Sequence, residues 1–192
     1  MRRHLTKLML CSATAIGFVV WAFPTSSINA APVDRCQNAR AHDKNMGTEI
    51  TDPRVITALT VVVATSGFRH PVVVCEISMP YLNATVGRLG RHYYMGLTKL
   101  VLEEFSDVEL RAVLGHEMAH LVLGHRDPGF ELANRRTTRY EEAADALSAR
   151  WVDKEAMQSV LRKLRVNASM LPDAALRNRA TIEIDARIKA LK

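Results

Sequence analysis

The sequence predicts an α+β fold: a small, mostly antiparallel sheet packed against helices. Two observations predict it. Short β-branched runs broken by Gly and Pro cluster between Pro71 and Met95, while from Leu97 to the C-terminus apolar residues recur at helical spacing. The chain has 192 residues, 48% of them hydrophobic and 24% charged, which suits one folded domain with a real core. The formal charge is +6, but Arg2, Arg3 and Lys7 precede the first acid, Asp34. Without them the basic excess is small, so the composition argues against a nucleic-acid partner.

The first thirty residues have the pattern of an export signal. Arg2, Arg3 and Lys7 form a basic start, Leu8 to Phe23 is apolar and uncharged, and Ile28-Asn29-Ala30-Ala31 resembles a small-residue cleavage site. The alternative is that residues 8–23 stay as a membrane anchor, the only route to membrane association in this sequence. The expected organisation is a signal at 1–30, a mature N-terminal arm at 31–53 with a short helix, and a single domain over 54–192. Localisation is expected outside the cytoplasm, periplasmic or secreted. Removing the signal leaves Cys36 and Cys75, an even pair that in an exported protein predicts a disulfide between arm and domain, against the alternative of two free thiols.

Val55 to Thr65 is apolar and β-branched, and its period does not separate helix from strand. Pro71 to Ile77 is the clearest strand; Asn83 to Val86 and His92 to Met95 are two more candidates, separated by Gly87 and Gly90. Leu97 to Phe105 reads as a short helix. Ser106 and Glu109 then form a capping box, Leu110, Val113, Leu114, Leu121 and Val122 follow at helical spacing, and Gly124 is a natural stop. Arg139 to Trp151 is a second helix, with Ala143, Ala144, Leu147 and Trp151 as its apolar set. Asp153 to Leu164 and Asp173 to Leu191 are two more, read as supports.

The capped helix carries His116-Glu117-Met118-Ala119-His120, the pattern H-E-x-x-H. Residues four apart share a helix face, so both imidazoles can reach one Zn²⁺, and Glu117 sits where it can take a proton from a metal-activated water. A catalytic zinc generally needs a third protein ligand. His125 lies just past Gly124 in poor geometry to return to the metal and reads as a surface or substrate-facing residue. The next helix offers Glu141 and Asp145 on one face. One carboxylate can complete the site while the other takes an imidazole N–H, most naturally that of His116; Glu142 competes for the ligand role.

H-E-x-x-H followed by Glu141-x-x-Ala144-Asp145 resembles the gluzincin metallopeptidases, most closely the HtpX and CAAX-prenyl-protease type with its soluble exported members. Leu114-Gly115, Leu123-Gly124-His125 and Asn83-Ala84 are similar to that family too. The resemblance implies a zincin-type helical core with two active-site helices. It implies His116, His120 and Glu141 as ligands of one catalytic Zn²⁺, Glu117 as general base and Asp145 as a support behind a ligand. Near the C-terminus the family often shows His-Pro ahead of an Arg-Ile pair. Here Arg187-Ile188 is present, but Thr181 and Ile182 stand in place of His-Pro, so no transition-state donor is assigned. The function implied is an exported zinc endopeptidase acting on unfolded or extended polypeptide, in quality control or processing. Two rivals are a zinc-binding, chaperone-like or regulatory protein with little turnover, and a regulatory metallopeptidase of the ImmA/IrrE type, against which the export signal argues.

Overall fold

The computed structural model describes residues 34–125 and 135–192; the expected signal or anchor within residues 1–30 lies outside them. Among the described residues the order is α1 (Gln37–His42), β1 (Met46–Glu49), α2 (Pro53–Ser66), β2 (Val72–Ile77), β3 (Ala84–Leu89), β4 (His92–Thr98), α3 (Lys99–Glu104), α4 (Asp107–Val122), α5 (Arg135–Trp151), α6 (Lys154–Ser169) and α7 (Ala174–Ala190). The fold is α+β. No helix among the described residues is long and apolar enough to cross a membrane.

The four strands form a sheet in the order β1-β2-β4-β3. The β1–β2 and β3–β4 pairs are antiparallel, and β2–β4 is parallel, with Val72 opposite Tyr93 and Ile77 opposite Thr98. The sheet is therefore mixed, with two of its three pairings antiparallel. The N-terminal arm contributes β1, a strand the sequence reading did not foresee. Strand period sorts the two faces. Val74, Met95 and Leu97 point into the main core with α2, α4 and α6; Val73, Cys75 and Tyr94 point to the opposite face, where Cys36 and Ala39 of the arm cover them. Cys36 and Cys75 are joined as a disulfide, their Cα atoms 6.0 Å apart, and both are fully buried.

The ambiguous run at Val55 is helical. Asp52 caps it through Arg54 N–H, Pro53 stands in the first turn, and Val55, Ala58 and Val62 are its buried face. Helix α4 is the centre of the molecule. Its expected single apolar stripe is too narrow a description, because almost every residue from Glu109 to His120 is buried, while Val122 is 43% exposed. A helix packed on several sides needs no polar face until it leaves the core.

His92 to Met95, expected as a strand, belongs to β4, which is paired on both sides. Edge positions belong to β1 and β3. Only an edge strand has N–H and C=O groups free for another chain.

Candidate metal centre

Helix α4 is fixed at its start by the Ser106–Glu109 capping box. Glu109 also accepts from Ser159 at 2.7 Å and from Lys163 at 2.8 Å, both on α6. Burial alone would raise the Glu109 pKa, but Lys163 and the two serines bring it down to about 2. Helix α5 crosses α4 beside the motif. Ser148 donates to the Ala112 carbonyl at 2.7 Å, and a Cβ on Gly115 would lie 2.7 Å from the Ser148 hydroxyl oxygen. The missing side chain at Gly115 is what lets α5 come close enough to place its carboxylates next to His116.

Three side chains converge there. His116 Nε2 and His120 Nε2 are 3.0 Å apart, and the Glu141 oxygens lie 3.2 Å from the first and 3.4 Å from the second. Four donors held ~2.0–2.1 Å from a tetrahedral centre stand about 3.3 Å from one another, so this spacing fits a small divalent ion such as Zn²⁺. His116, His120 and Glu141 are the one group of three found among the described residues whose ligand atoms could share a metal. Glu142, half-buried, is not part of it.

Behind His116 stands Asp145, 0% exposed, with Oδ1 2.8 Å from His116 Nδ1. The distance is that of an ion pair, but the ring N–H points off the line, so Nδ1 makes no well-directed hydrogen bond here. Burial opposes charge on His116, yet Asp145 and Glu141 outweigh it and push its pKa up to about 10. Arg187 on α7 closes the arrangement. It donates to both Asp145 oxygens, at 2.7 and 2.8 Å, and its third nitrogen is 3.1 Å from Glu141. Burial works against ionising Asp145; the guanidinium and His116 win and hold its pKa at about 2. Glu141 is likewise kept well below the usual carboxylate range, burial being offset by His116, His120 and Arg187.

Glu117 lies beside the cluster, 6% exposed, with no ion pair among the described residues. Burial pushes its pKa up, against the pull of the two imidazoles. It lines a cavity of about 970 Å³ together with His116, His120, Glu141 and Arg187, and residues of β3 line the same cavity.

Two residues escaped the sequence reading. Arg187 was noted only as half of an Arg-Ile pair on a supporting helix, and nothing local indicates that it crosses to α5. His125 neither joins the ligand group nor lines the cavity. It is half-buried and does not face the cavity: its Nδ1 lies 2.9 Å from His120 Nδ1 and its ring stacks on Tyr140, centroids 4.2 Å apart. A Schellman turn explains this. Gly124 takes φ +68°, and the N–H groups of Gly124 and His125 return to the carbonyls of Leu121 and His120, turning the chain back over the helix end. On α5 the expected apolar set is also corrected: Ala144 is buried, but Ala143 is exposed because it faces away from α4.

Taken together, a His-x-x-x-His pair on one buried helix and a carboxylate from the next form a group that could hold a metal ion, arranged as in the helix pairs of metallopeptidases. The comparison with known families agrees: residues 49–136 match the model of peptidase family M48. The likeness is to that segment, less than half of the chain. The match includes both imidazoles and Glu117 and ends before Glu141. No curated protein matches the chain.

Proposed function

We propose that this protein is a zinc-dependent endopeptidase acting outside the cytoplasm on unfolded or extended polypeptide. The observation that carries the reading is the placement of Glu117. Its buried carboxylate shares one cavity with the three-ligand cluster, and β3, an edge strand, also lines that cavity.

A bound Zn²⁺ would supply Lewis acidity, lowering the pKa of water and polarising a carbonyl. His116, His120 and Glu141 would hold it. Glu117 is the general base: it takes the proton from the attacking water and delivers it to the leaving amine. Burial raises its proton affinity, which suits both halves of that task. β3 offers free backbone groups along the cleft, so an extended substrate can add to the sheet and bring its carbonyl to the cluster. Asp145 and Arg187 hold His116 and Glu141 in place. The buried disulfide supports an oxidising compartment, in keeping with export and with a role in quality control of exported proteins.

The test is Glu117→Gln in the purified mature chain. It is expected to bind Zn²⁺ as the wild type does and to lose at least ~100-fold in cleavage of an unfolded casein-type substrate. Cleavage at the wild-type rate would remove Glu117 from the mechanism. Zn²⁺ binding without chelator-sensitive cleavage in the wild type would favour a binding protein instead.

A further inference from the structure

We infer that His125, backed by Tyr140, is the positioning residue for His120: it accepts a hydrogen bond from the His120 Nδ1–H and so keeps Nε2 bare, its lone pair free for the metal. The inference rests on the metal-centre reading above and adds to it two residues outside the ligand group.

An imidazole has one proton for two nitrogens when neutral, and a ligand nitrogen must be the bare one. His120 Nε2 is the atom in the cluster, 3.0 Å from His116 Nε2 and 3.4 Å from Glu141. The proton must then sit on Nδ1, and a buried N–H needs an acceptor. Among the described residues the one group within hydrogen-bond distance of His120 Nδ1 is His125 Nδ1, at 2.9 Å. His125 can accept there only if its own proton is on Nε2. The relay is thus fixed from the metal outward: bare Nε2 and protonated Nδ1 on His120, bare Nδ1 and protonated Nε2 on His125.

Two features keep His125 in that place. The Schellman turn at Gly124 brings its ring back over the end of α4. The Tyr140 ring then lies against it at 26° between planes. Tyr140 immediately precedes Glu141, so one turn of α5 both supplies the carboxylate and holds the group behind the second imidazole. His116 has an outer ion-pair partner in Asp145; His125 stands in the corresponding place behind His120.

The experiment is Zn²⁺ affinity, by chelator competition on the purified full chain, for wild type and four variants. His125→Ala is expected to weaken binding roughly 10- to 100-fold, the range for lost outer partners of metal histidines. His125→Phe keeps a ring on Tyr140 but has no acceptor and is expected to lose as much. His125→Gln, which restores an acceptor oxygen, is expected to recover most of the loss. Tyr140→Leu, which removes only the stack, is expected to fall between. In ¹⁵N-edited spectra of the zinc-loaded protein, the His120 Nδ1–H resonance should be shifted downfield in wild type and should lose that shift in His125→Phe. If His125→Phe binds Zn²⁺ as tightly as wild type, His125 is packing only and the inference is overturned while the peptidase reading stands. If the wild type itself binds no Zn²⁺, both fall.

Discussion

The two imidazoles of the centre share a helix and a task but are held by unlike means. His116 is backed by charge brought from far along the chain: Asp145 on α5, itself clamped at 2.7 and 2.8 Å by Arg187 on α7. His120 is backed by a neutral ring five residues away, returned by the turn that ends its own helix. The first support exists only when α7 has docked. The second needs little more than α4, its cap and one tyrosine. The comparison teaches that one ligand is tied to the global fold and the other to local geometry, so the two should fail under different perturbations.

The largest effect should come from removing the remote clamp. Arg187→Leu leaves Asp145 and Glu141 buried without their cation, and the metal-free protein is expected to lose about 3–5 kcal/mol. Urea unfolding of the apo form measures this, and an unchanged midpoint would mean that the charge-backed side is not tied to the fold as argued. Next is Asp145→Asn, expected to lower Zn²⁺ affinity roughly 10- to 100-fold and by more than His125→Ala, since a carboxylate stabilises a metal-bearing imidazole better than a neutral ring. Equal losses in the two variants would erase the distinction between the supports.

Glu109 is the control, a buried carboxylate with a salt bridge but no part in the cluster. Glu109→Gln should cost about 1.5–3 kcal/mol near neutral pH by removing a charged hydrogen bond. Its pKa is held at about 2 in the folded state against an ordinary 4.5, so the wild-type carboxylate stabilises the fold above pH 4.5. That contribution drains away as the pH falls from 4.5 toward 2, and the two proteins should then unfold alike. A difference that persisted at pH 2 would show that the effect is one of packing and not of charge.

Gly115→Ala should give the smallest change. Crowding against Ser148 costs ~1–3 kcal/mol, but alanine recovers ~1 kcal/mol of helix propensity. The net loss of about 1 kcal/mol should leave both supports intact, which parallel unfolding and zinc titrations would check.

Much of this was legible because local rules agreed. The Ser106–Glu109 box, the spacing of the motif and Gly124 mark α4 at both ends, and each acts within one turn. Val55 to Thr65 was undecided because β-branched residues blur the period, although Asp52-Pro53 already carried a helix start. The edge position of β3 could not be read, since pairing order depends on the parallel β2–β4 contact and leaves no mark in either strand. Arg187 was hidden for a similar reason: only docking of α7 brings it 42 residues back to Asp145. The place of His125 behind His120 was missed by treating Gly124 as a point where the chain departs, whereas a left-handed glycine reverses it.

That reversal leaves part of the site's aim with a residue that has no side chain. At φ +68°, Gly124 occupies a backbone region that costs any L-side chain about 1–2 kcal/mol, so a substitution there tends to let the following imidazole swing off its neighbour. A random-mutation screen for weakened metal retention should therefore recover changes at this bare position, well outside the donor atoms themselves, while overall folding survives.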